Sequence, residues 1–339
     1  MAPSEGAPHA QSHPEIGIGP LTAPGPPPLQ ARGQNLGDRV WHAVLGGFGG
    51  AVLLVAGVIV LVLARIAQPA AIAAGPLRFL TGRNWDPVQE AFGALPFIYG
   101  TLVTSAVAVV VAVPVAVGLG IFICELAPAR VGRALSFPIE LLAGIPSVVF
   151  GLWGLFVLVP WVRNFLEPVL GKSLGFLPLF SGPPIGLGYL SGGLILAIMI
   201  LPTITSVTVE VLRTVPGNLR EAAFALGATR WEVVRKAVLP YGKAGILGAS
   251  ILGLGRALAE TMAVTMVIGN SPTINASLFA PGYSLPSIIA NEFAEATGTM
   301  HTAALAALGL ILFGLALLLN ALARLLVSAV GSGPARVSI

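Results

Sequence analysis

Two ionisable residues stand in an otherwise apolar stretch: Arg256 and Glu260 lie four positions apart within the run from Ala244 to Ile268. On a helix that spacing places them one turn apart on the same face. A charge at the centre of a bilayer costs roughly 2.5–3.5 kcal/mol on insertion scales, while a helical pair at this spacing returns only a small part of that. Further polar surroundings are therefore expected. Two roles supply them. Either the pair is buried against polar groups of a neighbouring helix and fixes packing, or it faces a water-accessible pathway in which the planar, permanently charged guanidinium of Arg256 meets an anion. In the second case Glu260 holds Arg256 in position and limits how tightly the anion binds. Hydroxyls flank both positions: Thr261 and Thr265 beside Glu260, and Thr203, Thr205, Ser206 and Thr208 after Pro202. They can donate to an oxyanion in transit or satisfy helix carbonyls, as Ser and Thr commonly do in membranes.

Other chemistry-like patterns fall away on inspection. Gly171-Lys172-Ser173 ends like a phosphate-binding loop, but the glycine that motif requires five positions before its second glycine is Leu166. Gly253-Leu254-Gly255 opens like a dinucleotide fingerprint, yet the third glycine position is Leu258 and no strand precedes it. His9 and His13 lie in a proline-rich stretch without a third ligand, and the four histidines and the single cysteine, Cys124, assemble no metal site. No nucleophile and base stand at useful spacing, so an intramembrane enzyme is the least supported class.

The elements that must position Arg256 follow from composition. Of 339 residues, 55% are hydrophobic and 9% charged, against roughly 25% charged in an ordinary soluble domain. Mean hydropathy is +0.90, so most of the surface faces lipid. The net charge of +4 is too dilute for a nucleic-acid-binding domain. Residues 1–40 carry eight prolines and read as a disordered tail without the apolar content to fold. The first apolar run begins after residue 42 and is too long for a cleaved signal.

Six spans of about 20 residues are expected: Ala43 to Ala64, Phe97 to Ile123 with Pro114 inside, Phe137 to Pro160 with Pro146 inside, Tyr189 to Val209 with Pro202 inside, Ala244 to Ile268, and Thr302 to Ala323. Residues 41–327 thus form one transmembrane domain and 328–339 a short tail. With the amino terminus cytoplasmic, twelve of the eighteen Lys and Arg residues fall in cytoplasmic segments, five lie outside and Arg256 lies within the fifth span. That bias sets the orientation, and it places the loop 210–243 in the cytoplasm.

That loop carries two helix starts, Asn218 with Glu221 and Thr229 with Glu232, each a capping pair, and Gly227 lies between them where a left-handed turn ends a helix most easily. Ala222 and Ala223 give the first helix a face without bulk; the second is expected to carry Trp231, Val234 and Val238 on one side. The hairpin either docks into a groove of another protein or only connects two spans. Glu125 and Glu140 are expected in an interfacial charge cluster with Arg130 and Arg133.

Glu221-Ala222-Ala223, then three residues, Gly227, and later Leu239-Pro240 resemble the EAA loop of ABC importer permeases, with Ala237 at the position where that pattern has Ile. Gly253 to Val264, Gly144 to Gly151 and Asn291 to Ala294 resemble phosphate importer permeases of the PstC type, and the likeness covers about residues 40 to 327. It implies an all-α membrane protein with the six-helix fold of type I (MetI-like) importer permeases, in the bacterial inner membrane. Glu221, Ala222, Ala223, Gly227, Leu239 and Pro240 would couple to the ATPase, and Arg256, Glu260, Thr261 and Thr265 would line the substrate path. The implied partners are a homologous second permease (PstA type), two copies of a cytoplasmic ATPase (PstB type), an extracytoplasmic phosphate-binding protein (PstS type), inorganic phosphate and the lipid bilayer, with no nucleic acid and no cofactor. ATP chemistry would belong to another chain. Molybdate or sulfate as the cargo, or a sensor or scaffold that transports nothing, are the competing readings.

Overall fold

A computed structural model describes residues 36–331. The chain divides into two units, residues 1–57 and 58–339. The described part of the first is helical throughout, and the features below belong to the second. The expected tails lie outside the described residues except at their inner ends: helix α1 (Leu36–Ala74) starts before residue 41, and the last helix runs past residue 327.

Six helices are long and apolar enough to cross a membrane. They are α1, α3 (Leu95–Leu126), α5 (Ser147–Leu174), α6 (Tyr189–Arg213), α8 (Arg230–Ala259) and α11 (Thr299–Gly331). Shorter pieces connect them: α2 (Pro76–Thr81), α4 (Ala129–Ala143), α7 (Gly217–Ala225), α9 (Met262–Val267), α10 (Leu285–Glu292), and a hairpin of β1 (Trp85–Asp86) and β2 (Ala91–Phe92), with Trp85 opposite Phe92.

Helices α3 and α6 form the centre, with α8 against them. Ala108, Ala112 and Ala116 on α3 are fully buried against Leu196, Ile200 and Ile204 of α6 and Ala249 and Ala257 of α8. Spaced every four residues, these alanines present a flat stripe that lets helices approach where lipid gives no hydrophobic drive to associate. Gly253 serves the same end on α8: a Cβ there would lie 2.6 Å from Ile204 Cδ1. Large side chains such as Phe156 and Leu325 stay exposed, as expected of a surface solvated by lipid.

Four π-helical turns interrupt the helices, and each ends two residues before a proline: Phe122–Leu126 before Pro128, Gly154–Leu158 before Pro160, Val162–Leu166 before Pro168, and Val234–Val238 before Pro240. Proline lacks an amide hydrogen and its ring clashes with the carbonyl four residues back. A wider turn just upstream moves that carbonyl aside, so the bonds shift instead of being lost. Leu239 N, for example, donates to Val234 O.

Two expected spans are relocated. The third is α5, not 137–160. Helix α4 ends at Gly144, and Pro146 (φ −59°, ψ 141°) precedes the first residue of α5 rather than kinking it from within, because a proline disfavours helical backbone in the residue before it. The fifth span starts at Arg230, as the direct continuation of the cytoplasmic loop, and ends at Ala259. Glu260 is extended (φ −72°, ψ 127°), and a new short helix, α9, begins at Met262.

The segment after α9 folds back over the start of α6. Gly188 N, Tyr189 N and Leu190 N donate to the carbonyls of Val267, Ala280 and Leu278, so amide groups at the helix start do not go unpaired in a buried place. Glu167 near the end of α5 is buried, with Oε2 accepting from Gly186 N at 2.9 Å. It ties down the loop between α5 and α6.

Candidate functional site

The hairpin of the 210–243 loop is built on the ends of α3 and α6. Helix α7 starts after Pro216, whose φ of −59° and ψ of 137° set the entry. No side chain caps it, so the expected capping by Asn218 is not found: the proline one residue before Gly217 fixes the start earlier than the asparagine could. The exit is as expected. Leu226 N and Gly227 N close on Ala222 O and Phe224 O, and Gly227 takes φ +79°. Nothing lies within 4 Å of where its Cβ would be, so the glycine answers a backbone need and not a lack of space.

Thr229 and Glu232 form the expected capping box: Thr229 Oγ1 accepts from Glu232 N at 3.4 Å, and Glu232 Oε2 accepts from Thr229 N at 2.9 Å. Lys236 lies 3.2 Å from Glu232 one turn on. Val233, Val234 and Val238 are buried with Ile121, Leu212 and Val215, and Ala223, Ala228 and Leu239 pack against them. Trp231 does not join that face; it is 55% exposed. Of the two alanines, Ala223 turns inward and Ala222 outward with Glu221. Leu219, Phe224 and Leu226 are exposed beside them, Leu226 at 90%. The free surface of the hairpin is thus apolar and partly aromatic, a property of hot spots in interfaces, which the small-residue pattern did not suggest.

The hairpin is fastened by Arg220. Its Nη2 lies 2.7 Å from Glu125 Oε1 at the end of α3 and 2.9 Å from Leu212 O, and its Nη1 is 2.6 Å from Val215 O. One guanidinium therefore joins the end of α3, the last carbonyls of α6 and the hairpin itself. Glu125 was expected near Arg130 and Arg133; its partner is Arg220, 95 residues away in the chain, which no local pattern can reveal.

Arg256 stands in the last turn of α8 rather than in the middle of the span, and it does not pair with Glu260. Its Nη1 donates to Thr203 Oγ1 on α6 at 3.0 Å. The break after Ala259 removes Glu260 from the helix face that Arg256 occupies, and Glu260 Oε1 instead sits 3.5 Å from Ala263 N at the start of α9. Thr265 Oγ1 donates to Thr261 O and Thr205 Oγ1 to Leu201 O, each at 2.8 Å, so both of these hydroxyls serve their own helices. Arg256, Glu260, Thr261 and Thr265 are all half-buried at this junction. Leu239-Pro240 and Arg256 lie on one helix, roughly 24 Å apart along its axis at 1.5 Å per residue, so the hairpin and this junction share a single rod.

A second polar knot lies near the start of α3. Glu292 Oε2 accepts from Trp85 Nε1 at 2.9 Å and lies 3.0 Å from His301 Nε2, which ties the β-hairpin to α10 and α11. Asn291 Nδ2 donates to Tyr283 Oη, and burial pushes the Tyr283 phenol up against that bond's opposing pull. Asn291 and Glu292 belong to the outer motif of the sequence, but their partners Trp85 and Tyr283 were not anticipated.

Residues 112–332 match the family described as binding-protein-dependent transport system inner membrane component. The chain belongs to that family. Among similar proteins, the permease shares 48% identity with the phosphate transport system permease protein PstC of Mesorhizobium japonicum, over 85% of this chain and 89% of that one. It is 49% identical to PstC of Haemophilus influenzae over 74% and 80%, and 39% identical to PstC 2 of Mycobacterium tuberculosis over 90% and 96%. In fold it is similar to an inward-facing MetNI methionine ABC transporter chain (TM-score 0.51, 18% identity, 69% and 94% covered) and to a chain of the bacterial alginate ABC transporter (TM-score 0.51, 17% identity, 84% and 96% covered). The six-helix importer-permease fold expected from the motifs is therefore the fold of this inner membrane component.

Proposed function

We propose that this permease carries inorganic phosphate into the cell as one half of a translocation path, the other half being a homologous permease. The observation that carries the reading is near-half identity over most of both chains to proteins named phosphate transport system permease. The amino terminus faces the cytoplasm, as the excess of basic residues there requires. Two copies of a separate ATPase engage the hairpins through Glu221, Ala222 and the exposed Phe224 and Leu226. A soluble phosphate-binding protein delivers the anion from outside.

Closure of the ATPase pair on nucleotide moves the hairpins. Because Arg220 locks α7 to α3 and α6, and because α8 continues from the capping box through the π turn at Val234–Val238 to Arg256, that motion reaches the Arg256–Thr203 contact as a rotation of packed rods. Alternating access follows from two such halves rocking about the path. At the path itself the Arg256 fork receives the phosphate oxygens, Thr203 orients the fork, and Glu260 and Thr261 at the helix break supply polar backbone and side chain. Thr265 contributes by holding α9 in place.

The test is reconstitution of the permease with its partner permease, ATPase and binding protein in proteoliposomes. ATP-dependent accumulation of phosphate, undiminished by excess sulfate or molybdate, is the expected result. Accumulation of another oxyanion in preference, or none with any anion in an assembled complex, overturns the reading. A cysteine at Thr229, in a Cys124→Ser background, reports the orientation: it should react with an impermeant maleimide only from the cytoplasmic side.

A further inference from the structure

A cavity of about 320 Å³ lies between α4 and the last turns of α6, with a floor from the end of α3, and neither the hairpin nor Arg256 accounts for it. Its α4 wall carries Arg133, Ser136 and Glu140, and its α6 wall carries Ser206, Glu210 and Arg213. Each trio recurs at three- and four-residue spacing, so each occupies one face of its helix. The α6 face continues inward: Thr203, which receives the Arg256 hydrogen bond, stands one turn before Ser206. A polar stripe therefore runs from the Arg256 contact to this cavity.

Two guanidiniums and two carboxylates line the cavity, yet none of the four enters an ion pair. The ion pairs among the described residues are Arg220–Glu125, Lys236–Glu232 and His301–Glu292. All four cavity-lining residues are exposed, so in a volume far above the ~30 Å³ share of one water molecule their hydrogen-bonding groups are open to solvent and to an occupant that displaces it. Arg133 spends only Nε, on Ala129 O at 3.3 Å, and the Ser136 hydroxyl donates to Gly132 O. Arg133 and Arg213 also line the adjoining cavity of about 350 Å³ around Cys124, where Arg213 reaches the Cys124 thiol, so both arginines stand between two spaces.

We propose that this cavity is an inner-side oxyanion site through which phosphate leaves the permease, and that Glu140 and Glu210 select for a protonated oxyanion. The inference rests on the phosphate reading above and adds the exit and its selectivity. Monohydrogen phosphate offers charged oxygens to the guanidiniums and one O–H to a carboxylate. Sulfate offers the same charge but no O–H at neutral pH, so its oxygens would face carboxylate lone pairs. A site built to accept a substrate hydroxyl rejects the analogue that lacks it. The equal count of bases and acids also keeps the ion from being held too firmly to depart.

The test uses the full complex in nanodiscs without nucleotide, with Phe137→Cys in the Cys124→Ser background. Phe137 lines the cavity and is 64% exposed, so a maleimide reaches it. Inorganic phosphate should slow labelling saturably, with sulfate at equal ionic strength needing at least about tenfold more. Arg213→Gln and Arg133→Gln should each raise the half-protecting phosphate concentration about tenfold, as loss of a charge-assisted bond implies, with Arg213→Lys raising it less. Glu210→Gln should narrow the gap between phosphate and sulfate. Absence of phosphate protection, equal protection by sulfate, or unchanged protection in the arginine variants overturns the site. Phosphate uptake by the same complex in proteoliposomes separates the failures: uptake without protection removes this site alone, whereas no ATP-driven uptake removes the function on which it rests.

Discussion

Arg220 of the α7 hairpin reaches Glu125 at the end of α3 with a 2.7 Å contact, and the same guanidinium closes on the carbonyls of Leu212 and Val215. A part-buried ion pair of this kind contributes less through its Coulomb energy than its removal costs, since the surviving partner is left without its acceptor or donor. Its significance is geometric: it converts the hairpin from an appended loop into part of the α3–α6 unit. Arg220→Ala should therefore leave the complex assembled but reduce phosphate uptake at least about tenfold while ATP hydrolysis falls less, because three anchoring bonds vanish together. The ratio of uptake to hydrolysis in proteoliposomes measures this. Swapping the charges, Glu125→Arg with Arg220→Glu, should not restore coupling, because a glutamate cannot donate to the two carbonyls. Full recovery in the swap would mean that charge alone is at stake.

Gly227 sets the angle between the two hairpin helices at φ +79° with open space around it. A side chain there meets only backbone strain, about 1–2 kcal/mol for an L residue in the left-handed region. The expected order of uptake is Gly above Asn above Ala above Val, since asparagine tolerates that region best and β-branched residues least. Disulfide trapping between a cysteine at Leu226 and the ATPase should decline in the same order. Equal trapping across the series would show that the turn adapts.

Legibility in the sequence divides along the range of the interaction. The capping box at Thr229 and Glu232 and the turn at Gly227 rest on close neighbours in the chain, and each is where the pattern places it. Asn218 fails as a cap although its pattern is equally good, because Pro216 imposes the backbone entry first. The break at Glu260 has no glycine or proline to announce it. It depends on the segment 268–284 folding back over α6, with Gly282 N on Ile268 O and Ser271 N on Gly282 O, and a hydropathy window reads straight through it. That Arg256 is a lone base in an apolar run was legible, but its hydrogen-bond partner was not: Glu260 is four positions away and Thr203 is 53, and only packing of α8 on α6 chooses between them.

That choice makes Thr203 informative. Thr203→Val keeps shape and removes the acceptor that orients the Arg256 fork, so phosphate uptake should fall several-fold through a higher half-saturating concentration of loaded binding protein or a lower maximal rate. Thr203→Ser should retain most of it. Arg256→Lys keeps the charge but loses the planar fork and should behave nearer to Arg256→Gln than to the parent, with a loss of at least about tenfold. Glu260→Gln, by contrast, breaks no ion pair with Arg256 and should lose less than Arg256→Gln. The opposite order would restore the pair that the helix break separates.

The Trp85–Glu292–His301 knot joins the β-hairpin to α10 and α11, 207 residues further along the chain in the case of Trp85 and Glu292, through one carboxylate. The hairpin it holds has only two residues per strand, with Trp85 and Phe92 packed edge to face at 4.9 Å, and a two-stranded ribbon of that size does not persist alone. Glu292→Ala should therefore release the hairpin locally while the spans stay folded, and the amides of Ala91, Phe92 and Gly93 should exchange about tenfold faster than in the parent, a loss of order 1.4 kcal/mol in local opening. Glu292→Gln, which can still accept from the Trp85 indole, should fall between the two. Trp85→Phe keeps the ring stacking against Phe92 and Phe97 and removes only the N–H, so it isolates the hydrogen bond from the packing. If Trp85→Phe and Glu292→Ala exchange alike, the bond holds the hairpin; if Trp85→Phe matches the parent, the aromatic contacts with Phe97 at 4.9 Å suffice and the carboxylate serves His301 instead.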